Sequence, residues 1–197
     1  LENIVLELRT QGECSILNKT PPLVLSKLKF GNIQTCLRVA SSDSNIIFGT
    51  ITYNTGATQR DTISVVLDEI RLDLIEYIQD WKCLPDDFHK MWMDFEWENK
   101  VSVSVKLTDF KELITAVIDK THMILVSQDD YQSDCKFMVV NLYCKNRFGD
   151  EALANLSLEK QNDPSGVVGQ VRIRAKTQSM AINIGQRFAE YLKKELI

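Results

Sequence analysis

The sequence predicts a mixed fold in which a β-sandwich is followed by an α+β unit. Its 197 residues suit one large or two small domains, and 44% hydrophobic with 25% charged residues is typical of a globular protein. Short strands separated by turn residues fill the first 80 positions, whereas helical periodicity appears only later. The domain boundary is therefore predicted near residue 84, which gives a sandwich over 1–84 and an α+β domain over 85–197.

The first domain is predicted to consist of strands. Ile70, Leu72 and Leu74 alternate with polar residues, which is the period of a strand whose successive side chains point to opposite faces. Turn-forming residues interrupt the apolar segments at 41–45 and 54–56. Strands are therefore predicted at 4–8, 23–25, 36–40, 46–53, 63–67 and 70–78.

Helical signals begin in the second domain. Pro85 is followed by Asp86 and Asp87, and acidic residues in a first turn favour the positive end of the helix dipole. Phe88 and Trp92 then lie four residues apart, on one face of a short helix. A second helix starts with a capping box from Asp109 to Glu112. Further strands are predicted at 101–107, 137–144, 152–158 and 167–175, and a last helix at 180–196.

An alternating segment follows the first helix. Met93, Phe95 and Trp97 share one predicted strand face, which we expect to point into the core. The opposite face carries Asp94, Glu96 and Glu98. Three carboxylates on one strand could hold a cation, although an exposed acidic strand face is the commoner arrangement.

Composition narrows the function. No apolar run approaches the roughly 20 residues of a membrane-spanning helix, and a net charge of −4 provides no overall field for nucleic acid. Five cysteines without a CxxC pair indicate reduced thiols in the cytosol. The start lacks a Met and a signal peptide, which suggests a fragment of a longer chain. No metal or cofactor motif occurs, so neither is expected.

Catalysis has little support in the residues. Cys83 and His89 could form the nucleophile and base of a hydrolase, but a third orienting group is not evident and a surface His is the simpler interpretation. We therefore expect a non-catalytic protein.

Two features indicate binding instead. Arg172, Arg174 and Lys176 recur at period two on one strand, so three cations about 7 Å apart face outward. An anionic partner could offset their repulsion, or local acids such as Glu159 and Glu151 could do so across the sheet.

Trp92 is the second binding feature. It lies at the end of the short helix that carries Phe88. Its side chain could either pack in the core or form the floor of a shallow pocket for an aromatic peptide side chain. A basic strand beside such a pocket would suit acidic-aromatic peptides. The alternative is a sheet that binds single-stranded nucleic acid through residues 172–176, which the acidic balance disfavours.

Longer segments carry a more specific signal, at 45–49, 75–79, 91–100, 147–155, 158–160 and 171–176. Together they resemble the C-terminal appendage of coatomer beta subunits, from the COPI vesicle coat, which is similar to the appendages of clathrin-adaptor large subunits. The resemblance implies an immunoglobulin-like sandwich followed by a platform subdomain.

The resemblance also implies a function without catalysis. Such an appendage docks other coatomer subunits and accessory or cargo-adaptor peptides, while Arf-family GTPases bind the trunk, which this chain does not contain. The expected location is the cytoplasm, peripheral on Golgi membranes and COPI vesicles, in Golgi-to-ER and intra-Golgi transport. The resemblance makes Trp92 the pocket residue, and the predicted partner-binding set is Phe88, Trp92, Glu159, Arg172, Arg174 and Lys176.

Overall fold

The computed structural model of the chain describes residues 1–26, 28–41, 45–55, 62–128, 135–162 and 165–194. Its contacts divide the chain into two compact units, Leu1–Asp73 and Leu74–Ile197. This division falls between Asp73 and Leu74 rather than near residue 84, because a short strand at Ile78–Gln79 pairs within the second unit. The predicted turns at 41–45 and 54–56 and the end of the last predicted helix lie partly outside the described residues.

The first unit consists of antiparallel strands. In its described residues the strands are β1 (Glu2–Gln11), β2 (Cys14–Ile16), β3 (Leu37–Val39), β4 (Asn45–Asn54), β5 (Thr62–Val66) and β6 (Ile70–Leu72). In the larger sheet β4 pairs with β1 on one side and with β5 and β6 on the other, while β2 and β3 form a second sheet. This unit is the β-sandwich part of the predicted fold class.

The part of the second unit that the structure describes combines one sheet with three helices. Its strands are β7 (Ile78–Gln79), β8 (Trp97–Val105), β9 (Ile124–Gln128), β10 (Phe137–Asn146), β11 (Glu151–Asn162) and β12 (Ser165–Ala175). Its helices are α1 (Pro85–Asp94), α2 (Phe110–Thr121) and α3 (Gln178–Lys194). The strand order is β7-β10-β11-β12-β8, with β9 also paired to β10, and every pairing is antiparallel. The predicted fold class, with an α+β second part, is confirmed.

The two faces of this sheet are covered differently. The main core lies between one face and helices α2 and α3, where Phe110, Phe188 and Ile173 are completely buried. The opposite face carries α1, whose Phe88 packs against Tyr143 of β10 and Leu153 of β11. Alternation along each strand therefore separates a fully covered face from one that only a ten-residue helix covers.

The β10–β11 hairpin depends on its turn. Gly149 has a φ of +93°, a backbone conformation that residues with a Cβ rarely adopt. Asn146 accepts backbone hydrogen bonds from Phe148 and Asp150 through its side-chain oxygen, which closes the turn. The closed turn fixes the register in which β10 and β11 pair. This register determines which of their side chains face α1.

Several predicted elements differ from the structure. The strand predicted over 70–78 ends at Leu72, because Leu74, Ile75 and Tyr77 are all buried in a 3₁₀ turn and a strand could not bury successive residues on one side. The segment predicted over 23–25 makes only one bridge, from Leu23 to Ile4.

Strands β2 and β9 were not predicted. Both are short, at three and five residues, and β9 does not follow a clear alternation of buried and exposed side chains. Among the described helices, none is long and apolar enough to cross a bilayer.

Two isoleucines of α3 provide a test of the main core of the second unit. Ile184 is completely buried and Ile182 is 43% exposed. Ile184→Ala should lower the free energy of unfolding by about 2–5 kcal/mol because it leaves a cavity, whereas Ile182→Ala should cost about 1 kcal/mol or less. All three tryptophans lie in the second unit, so urea unfolding followed by their fluorescence measures this unit. Equal losses for the two variants would contradict the assignment of the core.

Candidate functional site

Helix α1 holds Trp92 at the border of the partly covered sheet face. The helix begins at Pro85 and ends at Asp94, where the Phe95 amide still donates to the Met91 carbonyl. Phe88 lies one turn before Trp92 and is only 4% exposed. The two rings stack at a centroid distance of 5.6 Å and an angle of 18°. Trp92 therefore rests on a buried ring and stays half-buried.

Part of the Trp92 indole remains accessible to water. Its Nε1–H makes no hydrogen bond to any described residue, and this nitrogen is not buried. An accessible donor beside an aromatic surface is a combination that suits contact with another chain.

Two arginines of β12 lie over the Trp92 ring. The guanidinium carbons of Arg172 and Arg174 are 5.6 and 5.5 Å from the ring centroid, within the range of a cation–π interaction. Both side chains point to the α1 side of the sheet because they alternate with the buried Val171 and Ile173. The predicted proximity of Trp92 to the basic strand is therefore present for these two residues.

Arg174 joins the helix to the sheet. Its Nη1 donates to the carbonyl oxygens of Trp92 at 2.6 Å and Phe95 at 3.4 Å. These carbonyls lie at the C-terminal end of α1, where unpaired acceptors and the helix dipole favour a cation. The Nε of Arg174 is buried without a partner. Arg174 is therefore mainly a positioning residue for Trp92.

Glu98 of β8 balances the cations. Its Oε1 lies 3.3 Å from Nη2 of Arg172 and 3.4 Å from Nζ of Lys100, and its Oε2 lies 3.3 Å from Nη2 of Arg174. We name Arg172, Arg174 and Lys100 the cation cluster. Burial alone would raise the pKa of Glu98, but the hydrogen bond from Lys100 and the charges of Arg172 and Lys100 hold that pKa below its ordinary value of 4.5.

A row of polar side chains crosses the sheet and includes two residues of the cation cluster. In register order it runs from Ser127 through Asn141, Asn155 and Arg172 to Lys100. Asn155 donates to Asn141 at 2.8 Å, and Asn141 donates to Ser127 at 2.9 Å. We name these five residues the polar row. Its Ser127, Asn141 and Asn155 are linked by these hydrogen bonds and are half-buried, so amide and hydroxyl groups extend across the sheet from Arg172, which lies over Trp92.

The remaining predicted site residues lie elsewhere. Lys176 follows the end of β12, where its backbone N–H donates to the backbone carbonyl of Glu151. Among the described residues, the cations over the Trp92 ring are those of Arg172 and Arg174. Glu159 lies opposite Val168, four residues along β11 from the partner of Arg172. The acid across the sheet from the arginines is Glu98, not Glu159 or Glu151. Glu151 instead contacts Tyr143 and Lys145.

The segment from 93 to 98 corrects the predicted acidic strand face. Asp94 is the last residue of α1 and Glu96 precedes β8, so only Glu98 lies on a strand. The three carboxylates do not share a face, and the described residues hold no group of three potential metal ligands. Trp97, predicted to be core, is 42% exposed at the start of β8.

The Cys83 and His89 pair is not assembled as a nucleophile and base. The Cys83 thiol donates to the Leu84 carbonyl, and burial, followed by the charges of Asp87 and Glu151, raises its pKa. A raised pKa keeps a thiol protonated and poorly nucleophilic. His89 is exposed on α1, and its ring packs edge-on against Phe88.

Glu98 and the polar row could not be assigned from the sequence. Glu98 follows a period-two pattern with Lys100, but its role requires knowing that β8 lies beside β12. The polar row depends on the register of four neighbouring strand pairs. The available signal was the occurrence of Asn141 and Asn155 within otherwise apolar strands, because a partly buried amide usually marks a hydrogen-bonded network.

Comparison with known proteins gives consistent matches along the chain. The family model described as the coatomer beta subunit appendage platform matches residues 61–188, and the one for the coatomer beta C-terminal region matches residues 1–55. Similar proteins include coatomer subunit beta of Rattus norvegicus, 39% identical over 98% of this chain, and that of Drosophila melanogaster, 40% identical over 100%. Coatomer subunit beta-1 of Arabidopsis thaliana is 35% identical over 95%. The chain covers 21%, 20% and 20% of these proteins, about a fifth of their length.

The contacts of the two arginines predict unequal effects on stability. Arg174→Ala removes the donor for two carbonyls at the end of α1 and should cost about 1–3 kcal/mol of unfolding free energy. Arg172→Ala removes a more exposed ion pair and should cost about 1 kcal/mol or less. Urea unfolding followed by tryptophan fluorescence measures both. A larger loss for Arg172→Ala would show that Arg174 does not hold the helix.

Proposed function

The chain belongs to the coatomer beta-subunit family, and we propose that its second unit is a non-catalytic docking surface of the COPI coat. The observation that carries this proposal is the half-buried Trp92, stacked on Phe88 and covered in part by Arg172 and Arg174. Tryptophan and arginine are the residue types most often found at the energetic centre of protein interfaces.

The docked segment would carry an aromatic or large apolar side chain. That side chain would pack against the accessible part of Trp92, while Phe88 supports the ring from the core and needs no contact with the partner. The free indole N–H would donate to a carbonyl oxygen of the bound segment. The polar row next to Trp92 supplies further donors and acceptors for an extended backbone.

Acidic residues beside the anchor would complement the cations. The side chain of Arg172 is 41% exposed and that of Lys100 is 56% exposed. Both can approach a carboxylate from solvent, unlike Arg174, which is 25% exposed and turned toward α1. Because Glu98 neutralises part of this cluster, the site is a poor match for the repeated phosphates of a nucleic acid.

In the coat, this surface would bind accessory or cargo-adaptor peptides or other coatomer subunits. Single contacts of this kind are weak, and a coat with many copies would gain strength through multivalency. The chain would then act in the cytoplasm, peripheral on Golgi membranes and COPI vesicles, in Golgi-to-ER and intra-Golgi transport. Contacts with Arf-family GTPases would belong to other parts of the full-length protein.

A capped peptide with one Phe between two pairs of Asp residues tests the proposal. Trp92→Ala should weaken the binding of this peptide to the 197-residue chain by about tenfold or more, because the Phe of the peptide loses the aromatic surface against which it packs. Isothermal titration calorimetry gives the affinities, and a peptide with Ala in place of Phe should lose binding to a similar extent.

Trp97→Ala is the matched control. Trp97 is also partly exposed, but its position next to Glu98 in β8 turns it to the opposite face of the sheet. The Trp97→Ala variant should bind the peptide with the same affinity as the unmodified chain. Equal affinity of the Trp92→Ala variant and the unmodified chain, with both variants folded by circular dichroism, would rule out the proposed surface.

A further inference from the structure

Glu98 occupies the position where the carboxylate of an acidic partner would bind. Its two oxygens contact Arg172, Arg174 and Lys100 at 3.3–3.4 Å. Arg172 offers its Nε and its Nη2 to the same Glu98 oxygen. Three cations therefore share one carboxylate that belongs to the chain itself.

We propose that Glu98 is an internal competitor that weakens the binding of acidic segments and sets the charge selectivity of the Trp92 surface. The inference rests on the proposed function and adds a specificity-determining residue to it. A partner carboxylate must either displace Glu98 from Arg172 or bind beside it against its negative charge.

The contact distances favour competition over a purely structural role. Charge-assisted hydrogen bonds of this type are usually about 2.7–2.9 Å long, so contacts of 3.3 Å to Arg172 and Arg174 are loose. Arg174 does not depend on Glu98, because it also donates to the Trp92 carbonyl at 2.6 Å. Replacing the Glu98 charge should therefore leave Trp92 in place while it frees Arg172.

As a consequence, the affinity of the site depends more on the aromatic side chain of the partner than on the partner's acidic residues. With Glu98 present, an added acidic residue in the partner gains less binding free energy from Arg172 and Lys100. It would gain more if these two cations had no carboxylate partner within the chain. Binding would then depend mainly on the aromatic side chain at Trp92, and densely acidic segments would gain little.

The experiment compares Glu98→Gln with Glu96→Gln. Both substitutions raise the net charge by one unit, but Glu96 lies two residues away and makes no ion pair with any described residue. Two capped peptides serve as probes, one with Phe between pairs of Asp residues and one with Asn in place of each Asp. Affinities are measured by calorimetry for the unmodified chain, the two variants and Trp92→Ala.

Glu98→Gln should bind the Asp peptide about two- to fivefold more tightly, the range that one exposed ion pair is worth, and should bind the Asn peptide unchanged. Glu96→Gln should change either affinity less. Glu98→Asp retains the charge and should not reproduce the gain of Glu98→Gln, which separates charge from packing.

The inference is overturned if Glu98→Gln binds the Asp peptide no more tightly than the unmodified chain. It is also overturned if the gain is equal for both peptides or equal for Glu96→Gln. In these cases a dependence on Trp92 would leave the proposed function standing. Binding that is insensitive to Trp92→Ala would instead remove the proposed function together with this inference.

Discussion

The bond from Arg174 to the carbonyl oxygen of Trp92 determines how the second unit presents its surface. A ten-residue helix has little stability of its own in water, so packing and end contacts must fix it. Phe88 anchors α1 in the small cluster with Tyr143 and Leu153. Arg174 then ties its last turn to β12, which sets the position of Trp92 over the sheet.

Other features of the site follow from that position. Since β8 lies beside β12, Glu98 reaches the arginines that lie over Trp92. Since α1 covers only part of the sheet face, Asn141 and Asn155 remain partly accessible on the strands beside Arg172. One helix end therefore joins an aromatic surface, a balanced group of charges and a hydrogen-bonded polar row.

Sequence patterns predicted the features that depend on neighbouring residues. The start of α1 at Pro85, the Asp109 cap of α2 and the long strands of the second unit all follow local rules, and all are present. Features that depend on strand register were not predictable in the same way. Lys176 and Glu159 follow the correct period, but Lys176 lies beyond the end of β12, and Glu159 pairs with Val168 rather than with an arginine. The role of Glu98 required the β8–β12 pairing.

The most direct test is an NMR titration of the three indole N–H signals, from Trp81, Trp92 and Trp97, with the Asp-flanked Phe peptide. Single Trp→Phe variants assign the signals. Docking at α1 predicts that the Trp92 signal shifts with saturation, while the signals of Trp81 and Trp97 stay in place. A saturating shift of Trp81 or Trp97 with no change at Trp92 would contradict the account.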